Sequence, residues 1–532
     1  MQYSYAPVAG DSFTNRTSIG EGGITPEVRI KLGGDWDLTA LLNYGRSTTT
    51  AHSPEINPTA DALALAGTTP GTALNPYSLG QTNPAILRSI LNYEQYASNT
   101  QNLYEVRAVA QGTAVHLPGG DARLALGAQY ERQTESAIQT DAPIGDRSTA
   151  ATSSDSSKSS AVFGELVLPI VGAGNAMTAV RSLSVDLQGR FDHYDKFGST
   201  TNPKYGLSWK PIDDITVRAT YGTSFVAPSL ADLAGSVDFR AQVFPVSPFG
   251  PGPFSFRPTI LLAGGGTGLK PMTSKTYTFG ADLAPSWLPS TTLSVTYWNT
   301  EVDHLINIFP FYAGQYYFNT FPNQWIVNPT LAQAQAIIGN QRVQGPSLAQ
   351  LYSNPATTPY AILNAERTNL GNLYVEGVDF NLNYRQSVPF GAVMAGFSGT
   401  YVLSQQSLAL GGTTRTTMLT AGNNISRLLA SAQVGAIAGP LTARAVMNYS
   451  SGFPVAEPGQ TWVGSFHPVN LQFSYKFERS RLAKDLTLAF NINNVGDERP
   501  AFENQTGGNT PDGTGNGSTV GRFFQVGLHA VF

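Results

Sequence analysis

The sequence predicts an all-β chain: one large antiparallel β-barrel that crosses a membrane on its strands. Three observations carry that prediction. Apolar and polar residues alternate with period two over segments of about ten residues, the length a tilted strand needs to span a bilayer. Connections between these segments alternate between short and long. Charged residues make up only 13% of the 532 positions, about half the share of a soluble protein. Mean hydropathy is nevertheless −0.12, and no apolar run approaches the roughly 18 residues of a spanning helix. The apolar residues are therefore spread singly along strands.

The alternation is clearest in 183–192, where Leu183, Val185, Leu187, Gly189 and Phe191 share one face and Ser184, Asp186, Gln188, Arg190 and Asp192 the other. In 469–478, Val469, Leu471, Phe473, Tyr475 and Phe477 oppose Asn470, Gln472, Ser474, Lys476 and Glu478. Leu486, Leu488, Phe490 and Ile492 continue the pattern, as do segments 103–116 and 121–133, with Glu105 and Arg107 opposite Val106 and Ala108. A soluble sandwich also alternates, but its strands average five or six residues. Charges in mid-strand suit a wet lumen.

The short connections are Leu32 to Asp35, Leu117 to Gly120, Pro211 to Asp214, Pro285 to Ser290, Ala438 to Pro440 and Arg479 to Lys484. Their Gly, Pro and Asp residues supply the φ values of tight turns. The long ones are roughly 46–100, 136–158, 225–271, 304–367, 405–423 and 496–519. About eighteen strands result, an even number as single-chain bacterial barrels have. In the long loops, Asn57-Pro58, Asn83-Pro84 and Asn328-Pro329 each place an N-cap before a proline at the first helical position. Behind Pro84, Ile86, Leu87, Ile90 and Leu91 form an apolar stripe. Such helices either fold the loop onto itself or build part of an extracellular vestibule. The Ser-rich stretch 149–160 is expected to be mobile.

Several chemistries are excluded. With no cysteine there are no disulfides, thiolate metal sites or thiol nucleophiles. A net charge of −4 offers no basic stripe for a nucleic acid. The six histidines lie apart, without metal-ligand spacing, and no nucleophile elbow or phosphate loop occurs. We expect no catalytic residues, no metal and no cofactor, hence no enzyme. His193 and Asp195 are a weak metal pair, and 504–518 reads as flexible surface rather than a calcium loop. Binding candidates are aromatic: Phe311, Tyr312, Tyr316, Tyr317 and Trp325, in a cluster with Phe309, Phe318 and Phe321 on one long loop. They either stack on a ligand or serve as girdle and loop packing. Met1-Gln2-Tyr3-Ser4-Tyr5 has neither a basic n-region nor an apolar h-region, which reads as an interior start.

With the barrel in place, several segments resemble the TonB-dependent receptor family. Arg190-Phe191-Asp192-His193-Tyr194 leads to Phe197 through Lys204, then Trp209-Lys210-Pro211, then Val217 through Leu230, in the family's order and spacing. Leu269-Lys270-Pro271-Met272-Thr273-Ser274 is similar to an L-x-P-E-x-S signature, with Met272 where the family has glutamate. Gly371 to Asp379 and Phe490 to Asp497 resemble two further family strands. Glu376, in register with lipid-facing Val378, Phe380 and Leu382, must sit near the extracellular interface or beside a bulge at Gly377. In the last strand Phe524, Val526, Leu528, Ala530 and Phe532 share a face and end on an aromatic; in outer-membrane proteins such a strand is read by the barrel assembly machinery.

The resemblance implies a receptor in the outer membrane, surrounded by lipid, that captures a scarce, bulky small-molecule ligand: a ferric siderophore, cobalamin or an oligosaccharide. It implies uptake energised by TonB through an N-terminal plug inside a barrel of about 22 strands. Lumen charges such as Arg107, Arg190, Arg218 and Arg444 would contact that plug. Neither plug nor TonB box is visible, so residues 1–532 read as the barrel domain without the plug and the first strands. The alternative is a passive outer-membrane channel or porin.

Overall fold

In the computed structural model the chain is described over residues 5–75, 77–233, 240–244, 258–307, 324–339, 342–344, 346–409, 413–421, 423–457, 459–477, 485–504 and 517–531. Its backbone forms one nineteen-stranded antiparallel sheet. Arg16–Ile24 and Glu27–Gly33 pair with the two halves of a single strand, Trp36–Glu55. They are one stave interrupted at Thr25-Pro26, where proline lacks a ladder donor. Thr416–Thr417 is a short side pairing on Gly391–Ala409. The wall therefore has seventeen full staves among the described residues, one fewer than expected.

Neighbouring staves are consecutive in sequence, joined in turn by tight turns and long excursions. At Gly33-Gly34, φ values of 117° and 59° close a hairpin that a Cβ would strain. Tyr93–Leu117 and Gly120–Ala142 run 25 and 23 residues, more than twice what a bilayer crossing takes. Their outer halves therefore stand clear of the membrane. The Ser-rich stretch is part of this extension: Ala151–Val171 is a strand whose serines pair within Tyr130 through Ala137. Ser and Thr suit a ladder wetted on both faces, and the pairing partner is not local. The expectation of a mobile segment is corrected there.

Sidedness follows the alternation. Val106, Val162, Val434 and Val526 are between 51% and 70% exposed, with no protein layer over them, so the outer face meets hydrocarbon. Aromatic pairs lie across strands on that face: Phe473, Phe490 and Phe524 stack in sequence at 6.5 and 6.3 Å. The inner face carries the polar set. The register shifts between Glu376 and Gly377, which is the expected bulge. Trp298 and the Tyr401 carbonyl leave a Cβ at Gly377 only 2.6–2.7 Å of room. Glu376 accepts from Tyr297 at 2.8 Å and from Asn299 at 3.4 Å.

Two edges of the sheet have no partner strand among the described residues: the Arg16–Gly33 stave and Phe523–Val531. An odd number of antiparallel staves leaves these two edges running in the same direction.

The long loops fold into compact units. Pro58–Ala66 and Pro84–Leu91 are capped by Asn57 and Asn83 as expected. Ile86, Leu87, Ile90 and Leu91 all join a core with Tyr5, Ala64 and Leu74, so these helices fold the loop onto itself. The helix after Asn328-Pro329 starts later, at Leu331–Ile338, where Thr330 and Gln333 form a capping box. It packs with Leu348–Tyr352 on a five-stranded mixed sheet built from Arg240–Phe244, Thr259–Ala263, Trp325–Val327, Arg342–Gln344 and Ala361–Asn364. Two separate loops thus share one small domain.

Candidate binding site in the barrel lumen

The inner wall is a continuous hydrogen-bonded polar surface. Gln129 donates to Glu105 at 3.1 Å and accepts from Arg190 at 3.0 Å; Arg190 pairs with Asp192 at 2.8 Å. Lower in the wall, Arg218 grips Asp282 through two bonds of 2.6 and 2.9 Å and also reaches Ser294. Arg107 lies 3.7 Å from Glu105, and Arg444 lies against the Met394 sulfur. All four arginines expected in the lumen face it, three of them neutralised by wall carboxylates. Phe163 lies flat over Gly127, where a Cβ would come within 2.3 Å of its ring.

Two cavities open onto this surface. One, of about 570 Å³, is lined by Phe163, Glu165, Arg190, Asp192, Tyr194 and Lys204. It offers both charge signs beside aromatic rings. The other, of about 680 Å³, lies nearer the extracellular mouth against Glu21, Ser47, Gln101, Gln133 and Glu135. Its roof is Leu230, on a short turn Leu230–Asp232 that the preceding loop brings into the mouth. Asp232 holds that turn twice, by capping at Ser229 and by an ion pair to Arg367 at 3.1 Å. Glu21 and Glu135 are register partners three ladders apart, some 14 Å at the usual strand spacing, too far to share one ion. The lining is suited to recognising hydroxyls and amides of a polar organic solute, and both volumes fall in the range of small-molecule sites.

The sequence candidates are distributed differently. Phe311, Tyr312, Tyr316 and Tyr317 lie outside the described residues, as does Phe532. Trp325 is only 6% exposed and packs with Leu261, Ala361 and Leu363 in the loop domain. Its reading as an exposed ligand-stacking ring is corrected: it pairs opposite Leu363 in a sheet covered on that face. Phe524, Val526 and Leu528 share the lipid-facing side, 64%, 70% and 68% exposed. His193 and Asp195 do not converge: His193 bonds Ser199, and Asp195 accepts from the Lys158 amide. Among the described residues no group of three or more His, Asp or Glu is placed to hold a metal.

Above the membrane, a buried cluster ties three segments together. Glu94, 5% exposed, bonds His52 and Arg147 at 2.9 Å each and the Gly145 amide at 3.2 Å. Arg147 also sits 3.7 Å over the Tyr96 ring. Burial pushes the Glu94 carboxyl up, but the bonds from His52, Arg147 and Gly145 outweigh it and hold the group below the usual carboxylate range. A depressed acid stabilises above its unfolded value, near 4.3, and that contribution is lost as pH falls through the folded value. Protease nicking of 143–150 is expected to rise as pH is lowered from 6 to 3. Glu94→Gln should open this loop already at neutral pH, by about 1–3 kcal/mol, and flatten the pH response; an unchanged pH response would refute the assignment.

Residues 2–495 match the family described as TonB dependent receptor-like, beta-barrel. No curated protein sequence matches the chain. Among solved structures, a mutant of the ferric enterobactin receptor PfeA from Pseudomonas aeruginosa is 14% identical with a TM-score of 0.51, over 97% of this chain and 70% of that one. The siderophore receptor PirA from Acinetobacter baumannii is 14% identical with a TM-score of 0.50, over 98% and 72%. The copper transporter OprC is 11% identical with a TM-score of 0.55, over 97% and 66%. At these identities the likeness is one of fold.

Proposed function

Because this chain belongs to the TonB-dependent receptor β-barrel family, we propose that it is the barrel of an outer-membrane receptor for a scarce, bulky solute. The observation that carries the reading is the polar lumen mouth: a cavity of about 680 Å³ whose roof is a loop turn pinned by Asp232 and Arg367. A loop-roofed mouth supports capture before passage. The ligand classes are a ferric siderophore, cobalamin or an oligosaccharide, with Phe311, Tyr312, Tyr316 and Tyr317 as stacking contacts. TonB acts through a plug seated against the lumen arginines, and the two unpaired edges are where further staves complete the wall. Phe524, Val526 and Leu528, with Phe532, present the closing strand to the assembly machinery.

The test uses the full chain folded in non-ionic detergent and titrated separately with a ferric catecholate, cobalamin and a maltooligosaccharide by calorimetry. Saturable binding to one class, weakened at least tenfold by replacing Phe311, Tyr312, Tyr316 and Tyr317 together with alanine, is the expected result. No saturable binding to any class, with a large ohmic conductance in planar bilayers, would instead make it a passive channel.

A further inference from the structure

On the outside of the wall lies a cleft of about 450 Å³ that the transport reading does not use. It is lined by Tyr401, Leu419, Ile425, Leu428 and Trp462, with Ser451 beside them, and the charged residue in its lining is Arg427. Its place in the wall follows from register. Tyr401 is paired with Val378 on one side and Leu428 on the other. Val378 shares its face with Phe380, which stacks on Phe397 at 5.0 Å, and Leu428 shares its face with the exposed Val434. The cleft is therefore on the lipid side. Tyr401 stands ten residues beyond the turn at Gly391, and Leu428 ten before the turn at Ala438. That is the count that spans the hydrocarbon, so the cleft opens at the outer boundary of the membrane.

Its chemistry is unusual for that position. Arg427 has an exposed side chain and no ion pair or side-chain hydrogen bond among the described residues. A second arginine, Arg415, lies 3.4 Å over the Tyr374 ring on the neighbouring part of the same rim, again with no carboxylate partner there. Trp462 is 57% exposed and pairs with Pro454 near the open end of the hairpin Phe453–Glu457 and Gln460–Val463, whose own core is Phe453, Val455 and Val463. The hairpin is thus a packed support, and Trp462 is the ring it holds out at headgroup level, where indoles settle. An apolar slot at acyl depth, an unneutralised guanidinium at its mouth and an interfacial indole beside it match one kind of occupant.

We propose that this cleft binds an anionic phospholipid, one whose headgroup leaves the phosphate charge uncompensated, with an acyl chain against Leu419, Ile425 and Leu428 and the phosphate on Arg427. Arginine binds phosphate in two parallel bonds, and a cation near a membrane surface favours an anionic lipid by roughly fivefold. The inference rests on the membrane-spanning reading of the wall.

The experiment places the full chain in vesicles of phosphatidylcholine doped with dibrominated phosphatidylglycerol or, separately, dibrominated phosphatidylcholine. Bromine quenches indoles it touches, and the Trp462 signal is the difference between the chain and its Trp462→Phe variant. Quenching at Trp462 is expected to favour the anionic lipid about fivefold, and Arg427→Gln to remove the preference while leaving folding unchanged. Equal quenching by both lipids, or a preference that survives Arg427→Gln, overturns the proposal. Loss of the preference on adding inorganic phosphate at millimolar concentration also overturns it, making the site one for the free anion. Trp209, 37% exposed on the same outer face near the opposite rim, separates the two readings. If the Trp209 signal, taken as the difference between the Trp462→Phe variant and the same variant carrying Trp209→Phe, is not quenched by either lipid, the membrane-spanning reading itself has failed.

Discussion

Replacing Val434 by arginine is expected to cost about 2–4 kcal/mol of folding free energy in a bilayer, while the same change at Gln433 costs close to nothing. The two residues are adjacent in the strand Leu428–Ala438 and midway between its ends. Val434 is 61% exposed with no protein over it, opposite Ala395 and Ala445. Gln433 points the other way, opposite Gly396, where its amide fills the space a Cβ would take. A guanidinium at 434 must enter hydrocarbon without a counter-ion; at 433 it enters water among the hydroxyls and amides of the lumen. The readout is the denaturant midpoint of refolding into vesicles, scored by heat-dependent migration. A 2–4 kcal/mol difference moves the folded-to-unfolded ratio about 30- to 1,000-fold. Equal costs at both positions would mean that neither face meets lipid, and a larger cost at 433 would invert the sidedness on which the lumen site and the outer cleft both depend.

Sidedness of this kind was legible from residue order alone, because a strand writes its environment in every second residue. Val106 against Glu105, or Phe490 against Asn491, needs no partner to be read. So were local devices: the Gly33-Gly34 hairpin, the Asn57 and Asn83 caps, and the bulge that lets Glu376 sit beside Gly377. What stayed hidden depends on contacts between segments distant in sequence. Nothing local in Thr259–Ala263 says that it lies parallel to Ala361–Asn364, a hundred residues later. Trp325 looked like an exposed ring for the same reason: its cover, Leu261 and Leu363, comes from two other segments. The Ser-rich stretch lacks apolar residues to bury, so composition reads as disorder; its order comes from backbone bonds to a neighbouring strand. The cavity at the mouth was missed because its lining is ordinary Ser and Gln on the inward face. Only the inward turn at Leu230, brought over from another loop, makes a site of them.

That dependence on the loop domain leads to the second large effect. Ile362→Asp is expected to unfold the five-stranded loop sheet and leave the barrel wall folded. Ile362 is fully buried in Ala361–Asn364, which is flanked by Thr259–Ala263 and Trp325–Val327. Its side chain belongs to the core of Val243, Ile260, Leu262, Ile338 and Leu351. A carboxylate there finds no partner in that core and costs several kcal/mol, as much as a unit of this size can hold. Ile362→Ala should cost about 2–5 kcal/mol and Ile362→Val about 0.5–1.5 kcal/mol, giving a graded series. The consequence for binding runs through Arg367, three residues after this strand ends, which holds Asp232 and with it the Leu230 roof. Proteolysis within 325–364 should therefore accelerate in the order Val, Ala, Asp, and ligand affinity should fall in the same order, while heat-dependent migration of the barrel stays constant. If the wall and the loop domain melt together in the aspartate variant, the two are one cooperative unit. If ligand affinity is unchanged while 325–364 is cleaved freely, the roofed mouth is not where the solute is held.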